Sequence, residues 1–237
     1  MLVAAAVCPC PPLLVPEVAA GAAPELDTAR AACTDALGVL AAARPDLLVV
    51  LGTAEESGRG PFPQGTPGTF RGFGVDLEVR LGPVGHPAPQ RRLPTSLAVG
   101  AWLLERTGWS AAPIEGLGVA DTLEPERCAE TGRELAGRAG RVALLVMGDG
   151  SACRSLKAPG YLDERAAPFD AEAARALGAA DPAALRALDP ALAHELKATG
   201  RAPWQILAGA AENANLTGAL LYEDAPYGVG YMVATWS

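Results

Sequence analysis

The sequence predicts one α/β domain over residues 1–237. It should have three layers, α/β/α, with helices on both faces of a mainly parallel, mixed central sheet. Three observations point there. Leu2–Val7, Leu47–Leu51 and Val142–Met147 are short, nearly continuous apolar runs, the pattern of strands buried on both faces. The first two runs flank a helical repeat, with Leu26, Cys33, Leu37 and Leu40 on one stripe of Pro24–Ala43. Such a strand–helix–strand unit favours a parallel pair joined by a right-handed crossover. Finally, no linker, repeat or change of composition divides the 237 residues, and that length can bury one large core.

The remaining elements follow in order. After the first strand, Cys8-Pro9-Cys10-Pro11-Pro12 stiffens the chain and removes backbone donors, so it reads as a rigid loop. The stretch Gly52–Gly68 is rich in Gly, Pro and Ser and is too long for a plain connection, which marks it as a binding loop or lid. It has neither a GxGxxG nor a Lys-Ser/Thr ending, which argues against nucleotide phosphate. Thr69–Leu81 alternates in part and predicts edge strands. Helices are expected over Pro94–Thr107 and Pro125–Ala139, with a strand over Ala112–Val119 between them. Further on, a helix opens at Pro168-Phe169-Asp170. Asp181-Pro182 and Asp189-Pro190 look like N-cap and first-turn pairs of two short helices. Pro203–Asn213 predicts the last helix, and Leu220–Tyr222 with Gly228–Trp236 a closing hairpin.

Half of the residues are hydrophobic and 19% are charged, a globular composition. The net charge is −8 and Lys and Arg cluster only at Arg91-Arg92, so nucleic acid and an anionic membrane surface are not expected partners. The apolar start Leu2–Cys8 lacks a basic flank and soon meets Pro9, unlike an export signal, and no run approaches a membrane span. With five cysteines, an odd number, the expectation is reduced thiols and a cytoplasmic protein.

Ligands of open α/β sheets collect at the carboxyl ends of strands, so the turn Gly148-Asp149-Gly150-Ser151 is the first candidate site. Asp149 either caps neighbouring N–H groups or faces a pocket. The flanking glycines permit positive φ and close backbone approach, a way to present Asp149 and Ser151 to a ligand. Backbone donors are expected to keep Asp149 ionised. Cys10 is a nucleophile only if a base or helix end lowers its pKa. His86 lies in a Pro-rich loop, and His194 falls about 200° round its helix from Leu192, pointing outward.

Several segments in order resemble the class III, LigB-type extradiol ring-cleavage dioxygenase superfamily. They are CPCPPLLVPE (Cys8–Glu17), DLLVVLGT (Asp46–Thr53), MGDGSA (Met147–Ala152) with the APGY and PFD segments after it, ILAGAAE (Ile206–Glu212) and VGYMVATW (Val229–Trp236). The resemblance implies a non-haem Fe(II) held by two histidines and a carboxylate, with a third histidine as acid/base. Here those positions fall at Cys10, at Thr53 or Gly52, at Ala152 and, for the carboxylate, at Glu212. The proline loop, Asp149, Ser151 and Tyr161 remain as the frame of the cleft.

The expectation is therefore a LigB-like protein with a degenerate metal site that binds a small ligand or a protein partner without catalysis. No cofactor is expected, and Glu212 and Cys10 are the only candidate ligands. The alternative is an active dioxygenase holding Fe(II) with unusual residues, or another enzyme using Cys10, Asp149 and Ser151. The resemblance also allows a homo-oligomer.

Overall fold

The protein is described from a computed structural model that covers residues 1–84 and 91–237. In chain order the strands are β1 (Leu2–Cys8), β2 (Leu47–Thr53), β3 (Gly60–Phe62), β4 (Pro67–Thr69), β5 (Glu78–Arg80), β6 (Ile114–Val119), β7 (Val142–Met147), β8 (Gly218–Asp224) and β9 (Tyr231–Trp236). The helices are α1 (Pro16–Ala19), α2 (Asp27–Ala42), α3 (Thr95–Arg106), α4 (Pro125–Ala136), α5 (Ala166–Gly178), α6 (Pro182–Arg186), α7 (Pro190–Glu195) and α8 (Arg201–Ala210). His86 lies outside the described residues.

The central sheet runs β3-β6-β2-β7-β1-β9-β8. Its middle strands β6, β2, β7 and β1 are parallel. β3 closes one edge antiparallel to β6, and the β8–β9 hairpin closes the other with β9 antiparallel to β1. The chain is thus an α/β/α domain with a mixed sheet.

Alternation along the central strands assigns the two faces. Ala4, Ala6, Leu48, Val50, Ala143 and Leu145 share a core with Leu37 and Leu40 of α2 and Leu97 and Leu103 of α3. Ala5, Val7, Val49, Leu51, Leu144 and Val146 face the other way, onto Leu135 of α4, Phe169 of α5 and Trp204 and Ile206 of α8. Because both faces are covered, apolar side chains are needed at successive positions, which is why these runs do not alternate in polarity.

The Asp-Pro pairs act as caps. Asp181 Oδ1 accepts from Ala184 N–H at 3.0 Å, and Asp189 Oδ1 accepts from Ala191 N–H at 2.8 Å. Thr69–Leu81 departs from expectation. Only the short β4 and β5 pair there, as a separate two-stranded sheet with a 3-10 turn, Arg71–Phe73, between them. The local alternation was too brief to sustain a longer strand. The main-sheet edge on that side is taken by β3, inside the loop after β2. Among the described residues, no helix is long and apolar enough to cross a membrane.

Candidate functional site

The loops after β1, β2 and β7 converge on one cleft of about 1010 Å³, lined by Cys10, Thr53 and Asp149. Parallel strands all end at the same sheet edge, so loops far apart in sequence are brought together there. Thr199 lines the cleft just before α8, and Asp121 lines it after β6. The remaining wall comes from residues 54–59 and 91–96, including Arg59, Arg91 and Ser96.

The β7 turn is tied on both sides. Gly148 N–H donates to Cys8 O at 3.0 Å, and Gly200 N–H donates to Asp149 O at 2.7 Å. Asp149 N–H meets Thr199 Oγ1 at 3.3 Å, and Asp149 Oδ1 accepts from Cys10 N–H at 2.8 Å. Of the two uses expected for the glycines, positive φ is not found, since neither Gly148 nor Gly150 has it. Close approach is found at both. A Cβ on Gly148 would lie 2.5 Å from Gly200 Cα, and one on Gly150 would lie 2.7 Å from an Asp170 carboxylate oxygen.

Asp149 also departs from expectation. Cys10 N–H is the single donor to its carboxylate among the described residues, and Oδ2 has no partner. Burial outweighs that one bond and raises the Asp149 pKa to about 7. Asp149 is therefore partly protonated near neutral pH, where backbone donors were expected to hold it ionised. Cys10 is buried beside it. Burial, and then the Asp149 charge, push its thiol well above the usual range. Among the described residues no histidine stands by to lower it, and burial leaves the residue a protonated thiol. Tyr231, also buried, is raised first by burial and then by Asp149.

Ser151 is not a cleft group. It is fully buried, its Oγ donates to Asp170 Oδ2 at 2.7 Å, and its N–H donates to Asp170 Oδ1 at 2.7 Å. Arg154 Nη1 adds a third donor to Asp170 at 3.0 Å. Two residues beyond Asp149, the chain has turned inward. Tyr161 does not line the cleft either, and its side chain is largely exposed.

Glu212 also lies outside the cleft, contrary to expectation. Helix α8 starts beside Asp149 and runs for 10 residues, so its far end lies about 15 Å away. There Glu212 pairs with Arg133 at 3.0 Å and Arg186 at 2.7 Å. It cannot share a metal with Cys10. His194 is exposed as expected, with Nδ1 3.7 Å from Asp121 Oδ2.

The Fe(II) implied by the resemblance has no fitting donor set among the described residues. The cleft positions offer a protonated thiol at Cys10 and a hydroxyl at Thr53, while Ala152 is a buried methyl. Two imidazoles and a carboxylate are what such an iron needs. Among the described residues, no three His, Cys, Asp or Glu side chains are grouped to hold a metal.

The sequence reading missed Arg59, Ser96, Asp121 and Thr199 as cleft residues. The first lies in the loop flagged for its length. Ser96 is held by its hydroxyl, which donates to Thr53 O at 2.6 Å. Asp121 is anchored through its carbonyl, which accepts from the buried Arg201. No local motif marks either one.

No protein-family model matches the chain, and no curated protein sequence matches it. Among solved structures, the crystal structure of the uncharacterized protein JW3007 from Escherichia coli K12 is similar. It superposes with a TM-score of 0.59 at 14% sequence identity, covering 99% of this chain and 99% of that one. At that identity the likeness shows the fold, an α/β/α domain built over its whole length.

Proposed function

We propose that this chain is a LigB-like member of the extradiol dioxygenase superfamily whose cleft binds a small polar ligand without the family's iron. The observation that carries the reading is Asp149 Oδ2, a carboxyl oxygen at the cleft with no partner among the described residues. Asp149 is half-buried, and a carboxyl oxygen that lines the cleft without a protein donor is open to a donor from a ligand. The substitution of all three imidazole positions favours binding over oxygen chemistry. A metal-independent acid–base enzyme is the second reading. It is favoured by the Asp149 pKa of about 7, where a carboxyl can both give and take a proton at neutral pH.

Both readings can be tested with one set of samples. Protein loaded with Fe(II) and dialysed should retain no stoichiometric iron and should not open the ring of protocatechuate-like catechols in air. Iron at one per chain together with ring-opened product would overturn the proposal. A thermal-shift screen of small polar molecules should find compounds that stabilise the wild type but not Asp149→Asn. If every compound that stabilises the wild type also stabilises Asp149→Asn equally, Asp149 is not the anchor.

A further inference from the structure

Outside Asp149, the cleft carries a second chemistry on its 54–59 and 91–96 wall. Arg91 is held in place there. Its Nη2 donates to Ser57 O at 3.2 Å and to Arg59 O at 2.7 Å, and its guanidinium lies 4.6 Å from the centre of the buried Phe62 ring. These contacts use one nitrogen and one face of the guanidinium, leaving Nε and Nη1 free of acceptors among the described residues. Arg59 makes a single long contact, Nε to Ala54 O at 3.5 Å. Neither arginine has a carboxylate within 4.0 Å among the described residues, whereas Arg92 leans towards Glu78 at 3.6 Å. The first turn of α3, which has no side-chain cap, lies on the same wall and adds a weak positive field.

We infer that Arg59 and Arg91 form a subsite for an oxyanion, carboxylate or phosphate, carried by a small ligand in this cleft. A fixed guanidinium with free N–H groups presents the donor fork that such anions accept in pairs. Four carboxyl groups line the same cleft: Glu55, Glu56, Asp121 and Asp149. Glu55 and Glu56 are exposed and unpaired with the arginines, so they are free to turn to solvent. Asp121 stands against His194. Asp149 retains its proton in part near neutrality, which reduces the repulsion it offers an anion. The inference rests on the cleft being a ligand site, and it names the ligand's charged end.

Arg59→Ala is the diagnostic variant, because that side chain makes only the long contact to Ala54 O, whereas Arg91 also staples the loop. Sodium malonate and sodium phosphate are titrated against the full chain by thermal shift and calorimetry, with sodium chloride at matched ionic strength as control. Saturable binding of malonate, of phosphate or of both is expected, with affinity about tenfold weaker in Arg59→Ala. Malonate alone identifies a carboxylate ligand, and phosphate alone a phosphorylated one. Chloride acting equally would reduce the effect to screening and overturn the inference, as would equal affinity in Arg59→Ala. Asp149→Asn separates this from the wider proposal. Anion binding retained in that variant, alongside a failed small-molecule screen, leaves the arginine subsite standing alone.

Discussion

Asp149 and Asp170 are two carboxyl groups served by the same turn, and the chain treats them in opposite ways. Asp170 is fully buried and accepts from Ser151 N–H, Ser151 Oγ and Arg154 Nη1. Asp149 is only partly buried and accepts from Cys10 N–H alone. The first is saturated and serves structure. It fixes the segment after β7 against α5, with Gly150 and Gly230 packed so closely on it that a Cβ on Gly230 would lie 2.5 Å from Asp170 Oδ2. The second has a carboxyl oxygen without a donor among the described residues and faces the cleft. Burial by itself does not make a carboxyl functional; the number of donors it meets separates the two roles.

The comparison can be broken most severely at Asp170. Asp170→Ala leaves two buried donors and Arg154 without their acceptor, and should destabilise the chain by about 3–5 kcal/mol in urea unfolding. A loss under about 1 kcal/mol would mean that the network does not hold the turn.

Asp149→Asn should act in the reverse sense, with a sign that depends on pH. In the unfolded chain this carboxyl titrates near its ordinary value of 3.8, and in the folded chain at about 7. Below pH 4 both states hold the proton. As pH rises from 4 to 7 the unfolded chain releases it first, so stability falls across that window and stays lowered above it. Asparagine keeps an acceptor for Cys10 N–H and carries no charge. The variant should therefore be more stable than wild type at pH 8, and the difference should shrink towards pH 5. Melting temperatures in matched buffers across that range check this, and a pH-independent difference would count against the raised Asp149 pKa.

The smallest effect is expected at Glu212, a third carboxylate, partly exposed between Arg133 and Arg186. Glu212→Gln should cost about 1 kcal/mol or less and leave iron content and cleft binding unchanged. If it altered either one, the placement of Glu212 outside the site would be wrong.

Much of the architecture was legible in the sequence because buried parallel strands have a local signature. Leu47–Leu51 and Val142–Met147 are strands almost to the residue. Asp181 and Asp189 cap the two short helices as their Pro neighbours indicated. The short β4–β5 pair and the edge strand β3 were not legible, since three residues carry too little pattern to register.

The site divides in the same way. That Cys10, Thr53 and Asp149 meet in one cleft followed from strand order, because the ends of parallel strands share one edge. The fate of individual side chains did not follow. Ser151 and Asp149 are two residues apart on one turn, yet one is sealed against Asp170 and the other lines the cleft. Glu212 was a candidate ligand in the sequence, but α8 runs away from Asp149 and places it at the far end. By itself, the sequence determined which segments become strands and helices and that no histidine stands at Cys10, Thr53 or Ala152. Donor counts, the raised Asp149 pKa and the arginine wall were decided only by tertiary structure. Each depends on groups distant in the chain, such as Cys10 with Asp149 and Ser57 with Arg91, that nothing local in the sequence pairs.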